Sequence, residues 1–308
     1  TVYHTANWLV AHSHLADKST FSLTLVHDEG LSSVGNGVRV SSEKGTNGRI
    51  RTHWLQDQPI PLYTFGFALG QFQRLTKKAD NTHFHLLYRP KSGFSPTQIE
   101  TMFTDVADMK RFFEQKAGFA LVNQTYHFVL VEGRMAQEAS GFSLVGEEFG
   151  KHLLADPQEN WFVAHELAHE WWGNSVTCSH FGHFWLNEGL VQFLVAAYKQ
   201  HRFGQAAYQK EINLAVQRVK RAIGEGRAGP TAYLQPISDN NINRTMTYSK
   251  GALIFHALRQ QLGEAHFWQA LRVYSQQHQG GSVTTNDLKT AFEQVSKQDL
   301  SVEFNNWV

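Results

Sequence analysis

The hydrophobic pattern of the chain changes near residue 90, and this change limits the folds open to it. Before that point, short segments such as Thr20–Val26 alternate apolar and polar residues, as half-buried strands do. Glycine- and asparagine-rich turns separate these segments. From Ser95 and Pro96, which can cap and begin a helix, apolar residues recur at helical spacing. The pattern predicts an α+β fold, with a β-rich part over residues 1–90 and a mainly helical part over residues 91–308.

Individual elements can be predicted from the same patterns. Helical spacing continues from Ile99 to Phe113, and Asp156 is a plausible cap before Pro157 in the later, helical part. The further strand-like segments are Val38–Val40, Ile50–Trp54, Tyr63–Phe72, His83–Tyr88 and Tyr126–Val131.

Composition excludes several classes of protein. Lysine and arginine total 28 against 27 acidic residues, a net charge of +1, so a function in binding nucleic acid or an anionic membrane is not expected. No apolar run approaches the roughly 18 residues of a membrane span. A single cysteine, Cys178, rules out an internal disulfide. Compartment and oligomeric state stay open.

The segment Trp161–Asn174 contains His165, Glu166 and His169 in the pattern His-Glu-x-x-His. Residues four apart lie one turn apart on the same face of a helix, so both imidazoles can reach one metal ion. Glu166 is offset by about 100° around the helix, so its carboxylate can serve as a base beside the metal without binding it. Aromatic residues flank the motif and indicate a buried helix. Together these features predict a zinc site.

A catalytic zinc needs a third protein ligand while one position stays open. Glu188, in the segment Trp185–Leu190, lies nineteen residues after His169 at the start of another helical run. It is the predicted third ligand. His180 and His183 follow the motif in a loop and are weaker candidates. They are expected to have only a structural role in that loop. Glu170 is expected to face solvent or to lie behind the ligands.

These motifs resemble those of the gluzincin aminopeptidases, the family of aminopeptidase N and the leukotriene-hydrolysing bifunctional enzyme. That family carries His-Glu-x-x-His and then a glutamate within Trp-Leu-Asn-Glu-Gly. The resemblance implies that His165, His169 and Glu188 bind one Zn²⁺ per chain and that Glu166 is the general base. The family's Tyr-x-Lys-Gly segment matches Tyr248–Gly251, which implies that Tyr248 stabilises the transition state. Without the resemblance, Tyr248 is predicted to lie at the start of a helix with a solvated hydroxyl.

The resemblance extends over nearly the whole chain. Asp17–Phe21, Val34–Gly37 and Phe65–Phe72 look like segments of the family's amino-terminal β-domain. The implied fold is the later part of that β-domain, over residues 1–90, followed by a thermolysin-like, mainly helical zinc catalytic domain over residues 91–308. The large helical carboxy-terminal domain of many members is expected to be absent.

One region departs from the family pattern. The family binds the substrate's free amino group with a Gly-x-Met-Glu-Asn strand, and two registers of Gly133–Ala139 compete for it. The favoured register makes Glu138 the amine anchor, with Gln137 beside it at the substrate. The other keeps Gly133 and Met135 but places Ala136 where the carboxylate belongs. Glu138 can also be read as a solvated loop carboxylate.

The predicted function is a zinc-dependent aminopeptidase that hydrolyses the N-terminal bond of a peptide substrate. A zinc hydrolase of other specificity, such as an endopeptidase or an epoxide hydrolase, is one alternative. A catalytically inactive binding scaffold is the other, although it would have no need for ligands, base and tyrosine together.

Overall fold

The computed structural model describes residues 5–10, 14–238 and 241–308. Residues 1–4 and 11–13 of the predicted β-rich part lie outside the described residues. The described part forms two compact units. The first unit contains the described residues up to Val10 together with Asp17–Lys110 and Leu121–Glu170, and the second contains His14–Ala16, Arg111–Ala120 and Trp171–Val308.

The chain begins with antiparallel β structure, as predicted. A three-stranded sheet has the order β1-β4-β3, and a separate pair joins β2 to β5. Phe21 and Trp54 point to the buried side of the three-stranded sheet, where they are 8% and 4% exposed. The strands are β1 (Lys18–His27), β2 (Ser32–Gly35), β3 (Val38–Lys44), β4 (Ile50–Pro61) and β5 (Phe67–Gly70).

The predicted strand Tyr63–Phe72 is shorter than expected. A 3₁₀ turn occupies Leu62–Thr64 and the strand begins only at Phe67. The buried side chain of Asn36 holds this turn, because its Nδ2 donates to the carbonyl of Thr64 and its Oδ1 accepts from the amide of Gly66. A distant side chain thus satisfies backbone groups that a longer strand would have paired.

A five-stranded mixed sheet forms the centre of the first unit. Its order is β6-β7-β8-β10-β9, with parallel pairing of β8 to both its neighbours and antiparallel pairing at each edge. The predicted strand Tyr126–Val131 is β8. Two of the strands precede residue 90 and three follow it, and the domain boundary at residue 90 stays a prediction. The strands are β6 (Gln73–Ala79), β7 (Thr82–Tyr88), β8 (Thr125–Val131), β9 (Ala136–Ala139) and β10 (Phe142–Gly146).

Both faces of this sheet carry buried apolar residues, and one of them also carries two histidines. Phe84, Leu86 and Phe128 lie on one face and are fully buried. Because side chains alternate along a strand, His85 and His127, which are paired in register on β7 and β8, lie on the opposite face.

Helices dominate the rest of the chain, which confirms the predicted α+β class. They are α1 (Pro96–Met102), α2 (Val106–Ala117), α3 (Glu147–Ala155), α4 (Trp161–Ala168), α5 (Trp185–Phe203), α6 (Gln205–Gly224), α7 (Gly251–Gln277, interrupted at Gly263), α8 (Thr285–Ser296) and α9 (Ser301–Trp307). Two short strands, β11 (Thr177–Cys178) and β12 (Ser282–Val283), pair in parallel. Among the described residues, no helix is both long and apolar enough to cross a membrane.

The first helical segment follows the sequence pattern only in part. Ser95 caps the helix and Pro96 occupies its first turn, as the sequence predicts, and Gln98 completes a capping box with Ser95. The helix nevertheless ends at Met102 and restarts at Val106. The hydroxyls of Thr101 and Thr104 bond to carbonyls one turn earlier, where they compete with the backbone ladder.

Candidate metal centre

Helix α4 carries the first half of the motif, and His169 caps its carboxyl end. His169 keeps helical backbone angles, φ −59° and ψ −21°, and its amide donates to the carbonyl of His165. The two imidazoles therefore remain one turn apart, with ring centroids 4.7 Å apart and ring planes at 81°. The predicted placement of both histidines on one helix face agrees with this geometry.

The motif is buried. His165, Glu166 and His169 are 6%, 3% and 0% exposed. The hydroxyl of Tyr126 on β8 donates to the carbonyl of Glu166 at 3.2 Å and so holds this turn of the helix against the sheet. Burial, and after it the carboxylate of Glu170, raises the pKa of Tyr126 well above its usual value, so the hydroxyl keeps its proton and stays a donor.

Glu188 lies in the first turn of α5 and is 1% exposed. One candidate ligand atom from each of His165, His169 and Glu188 lies within 4.8 Å of the other two. Two imidazole nitrogens and one carboxylate oxygen are a donor set that suits zinc and leaves a coordination position open. The residues thus fit the predicted ion, and their role as ligands stays a prediction.

A close contact between two glycines fixes how α5 packs inside the second unit. A Cβ placed on Gly189 would lie 2.8 Å from the Cα of Gly251 and 2.9 Å from the carbonyl oxygen of Thr247. Backbones approach this closely only when both residues lack a side chain. Since Gly189 follows Glu188 directly, this contact constrains the position of Glu188 within the second unit.

Tyr248 lies in a π-helical segment, Thr245–Lys250, that leads directly into α7. The wider π turn is uncommon and is often found at functional sites. Tyr248 is half-buried, whereas its neighbours Thr247 and Ser249 are buried. Its catalytic role stays a prediction.

Glu138 and Gln137 lie on the edge strand β9, which pairs with β10 so that Glu138 is opposite Ser143. Glu138 is 5% exposed, so it is a strand residue and not a solvated loop carboxylate. Both residues line a cavity of about 210 Å³ in the first unit. The cavity is also lined by aromatic side chains, among them Trp8, Tyr63, Phe65 and Phe142.

The turn between β9 and β10 is held by two buried polar side chains. Glu170 accepts hydrogen bonds from the amide of Gly141 and from Nδ2 of Asn123, both at 2.9 Å. Asn36 donates to the carbonyl of Ser140 at 2.8 Å. The solvent-facing reading of Glu170 is therefore wrong, since the residue is 6% exposed. Its position next to His169 was the only signal in the sequence, and the partner at Gly141 could not be read from it.

His180 and His183 take part in local structure. Nδ1 of His180 accepts from the amide of Gly182, and Nδ1 of His183 is hydrogen-bonded to the hydroxyl of Thr285 at 2.9 Å. Burial, and after it the neighbouring His180, lowers the pKa of His183 to about 4. Within the part of the chain that the structure describes, neither residue belongs to the candidate metal-binding group, which consists of His165, His169 and Glu188.

Comparison with known proteins identifies a family match. Residues 134–307 match the Peptidase family M1 domain. Aminopeptidase N of Escherichia coli K12 is 26% identical over 293 residues, covering 89% of this chain and 33% of that protein. Aminopeptidase N of Lactococcus lactis is 28% identical over 320 residues, covering 94% of this chain and 36% of that protein. The chain thus spans about a third of the length of these relatives.

Solved structures share the fold. An M1 zinc metallopeptidase from Deinococcus radiodurans superposes with a TM-score of 0.79 at 21% identity, covering 99% of this chain and 66% of that one. A mutant of a Deinococcus radiodurans M1 zinc metallopeptidase, bound to a Tyr-Ser-Ala substrate, has a TM-score of 0.76 at 22% identity, covering 96% of this chain and 65% of that one.

We expect the purified chain to bind one Zn²⁺, and substitution of a ligand to remove it. His169→Ala and Glu188→Ala should each abolish stoichiometric zinc because they leave two protein ligands. His180→Ala, which changes a histidine of the neighbouring loop, should keep it. Metal content by mass spectrometry after dialysis against a weak chelator measures this. Retention of one zinc in Glu188→Ala would contradict the ligand assignment.

Gly189→Ala should destabilise the second unit by about 1–3 kcal/mol, the usual cost of overpacking. The new methyl group has no room beside Gly251, so α5 must shift. Gly224→Ala is the matched control, because no atom lies within 4 Å of a Cβ at that helix position. Urea unfolding of both variants gives the comparison. Equal stability of the two variants would show that the Gly189 contact does not constrain the packing.

Proposed function

This chain belongs to peptidase family M1, which confirms the resemblance expected from its motifs, and we propose that it is a zinc-dependent aminopeptidase. The observation that carries the proposal is the buried group of His165, His169 and Glu188, with Glu166 on the same helix turn as His165. The relatives named aminopeptidase N add support.

The proposed chemistry divides between the ion and the chain. When bound, Zn²⁺ lowers the pKa of water to about 7 and polarises a carbonyl group. His165, His169 and Glu188 hold the ion and leave a position open. Glu166 accepts the proton of the attacking water and passes it to the leaving amine. Burial of Glu166 keeps bulk water away from this transfer.

Tyr248 is proposed to donate a hydrogen bond to the oxyanion that develops during attack. A phenol keeps its proton at neutral pH and can serve as a donor throughout the reaction. One donor of this kind contributes about 3–4 kcal/mol to transition-state stabilisation. The π-helical turn gives the Tyr248 side chain a position that a regular helix would not.

Glu138 is proposed to bind the α-ammonium group of the substrate. Its buried carboxylate lines the 210 Å³ cavity, so a charged amine entering that cavity would gain a charge-assisted hydrogen bond in a partly dry environment. An anchor at the amine fixes cleavage at the first peptide bond. The aromatic walls of the cavity favour an apolar side chain on the first residue of the substrate.

The other functions are less well supported. An endopeptidase cleaves within a chain and binds no free α-amine at the cleavage site, so it would have no need for the buried Glu138 carboxylate in the 210 Å³ cavity. An inactive scaffold gains nothing from two imidazoles and two carboxylates buried close together, since burying such groups costs stability. An epoxide hydrolase would share the metal group, and only substrate tests separate it from a peptidase.

Glu166→Gln should lower kcat for an aminoacyl fluorogenic amide by about 10²–10⁴-fold because an amide cannot accept the proton. Zinc content should stay at the wild-type level, since Glu166 is not a ligand. Glu148→Gln is the matched control, an exposed glutamate of α3. Stopped assays at matched zinc occupancy measure the effect. A wild-type kcat in Glu166→Gln would show that Glu166 is not the general base.

Glu138→Gln should weaken hydrolysis of the free-amine substrate about 10- to 100-fold in kcat/KM, through loss of one charged hydrogen bond. The wild-type enzyme should prefer the free amine over its N-acetyl form, and the variant should lose that preference. The measurement is kcat/KM on both substrates, with Glu148→Gln again as control. An equal loss on both substrates would refute the anchoring role while leaving the zinc chemistry intact.

A further inference from the structure

A second, larger cavity of about 550 Å³ opens on the face of the five-stranded sheet that carries His85 and His127. It lies within the first unit, between that face and residues of β2, β3 and β4, and it shares no lining residue with the metal-binding group. The lining residues that matter for its chemistry are Arg39, Trp54, Phe72, Arg74, His85 and His127.

The charged residues that line the cavity are all basic. Its lining contains no aspartate and no glutamate, while Arg39 and Arg74 both border it. Both arginines are exposed, and within the described residues neither forms an ion pair. Each guanidinium presents a fixed fork of donors that fits a carboxylate or a phosphate. The rim of the cavity therefore attracts anions.

One of the lining residues is a buried histidine. His127 is 8% exposed, its ring lies 5.0 Å from that of His85 and 5.9 Å from that of Trp54, and its Nδ1 has no hydrogen-bond partner among the described residues. Nδ1 is also shielded from solvent, so a group in the cavity can reach the ring only through Nε2. His127 thus offers one ring nitrogen, Nε2, to the cavity that Arg39 and Arg74 also line.

The electrostatics of His127 agree with this placement. Burial, and after it His85, Arg74 and Arg39, lowers the pKa of His127 to about 3. The ring is therefore neutral at pH 7 and can donate one hydrogen bond without adding charge. An anion beside it would favour the protonated ring and raise this pKa, because opposite charges stabilise each other.

We propose that this cavity binds a small organic anion, a carboxylate or a phosphate attached to a flat apolar group. The anionic group would pair with Arg39 and Arg74 and accept a hydrogen bond from His127. The flat group would lie against Trp54 and Phe72, which supply the apolar part of the wall. The site is independent of the peptidase chemistry, so either proposal can fail alone.

The test uses the full chain with ¹⁵N-labelled histidine and tryptophan, titrated with four probes at pH 7. The probes are inorganic phosphate, phenyl phosphate, benzoate and benzamide, the last being a neutral molecule of the same shape as benzoate. We expect saturable shifts of the His127 ring and the Trp54 indole with benzoate or phenyl phosphate. Inorganic phosphate should bind more weakly and benzamide should have no effect. Comparison of the benzoate and phenyl phosphate arms shows which anionic group is preferred.

Variants identify the residues responsible. Arg39→Gln and Arg74→Gln should each weaken binding about tenfold, the loss expected for a charged hydrogen bond. Arg51→Gln removes the same charge from an exposed position on β4 outside the cavity and should bind as the wild type does. Absence of shifts with both organic anions, equal binding of benzamide and benzoate, or an equal loss in Arg51→Gln would each overturn the proposal.

Discussion

The proposed activity depends on the burial of two imidazoles and a carboxylate within reach of one metal ion. His165, His169 and Glu188 are 6%, 0% and 1% exposed, and their candidate ligand atoms lie within 4.8 Å of one another. Removing such groups from water costs several kcal/mol for each charge unless an opposite charge accompanies them. A divalent cation offsets this cost, so its binding free energy would become part of the folding free energy. Metal binding and stability are thus expected to be coupled in this protein.

Around that point, the first unit links the two tasks that the proposed reaction requires. Helix α4 carries His165 and Glu166, proposed for the chemistry, and strand β9 carries Glu138, proposed for substrate selection. Glu170, immediately after His169, accepts from the amide of Gly141 in the turn that follows β9. The same side chain therefore connects the end of the His-Glu-x-x-His motif to the strand that carries the proposed amine anchor.

Several features were predictable because they depend on residues close together in the sequence. The spacing of His165 and His169 places both on one helix face, and Ser95 caps the helix that begins at Pro96, as predicted. Other features were not predictable. The sequence left open whether Glu170 faces solvent or lies behind the ligands, and the predicted strand from Tyr63 begins with a turn. The partners of both segments, Gly141 and Asn36, are distant in sequence.

The sequence alone determined the classes of element, the order of β before α, the donor types of the metal-binding group and the family. These follow from hydrophobic period and from local spacing, which helix and strand geometry convert directly into positions. Tertiary structure decided which carboxylates are buried, how Gly189 meets Gly251, and that Arg39, Arg74 and His127 border one cavity. Each of those outcomes needs segments tens of residues apart to pack together, and no periodicity within a single segment records such a pairing.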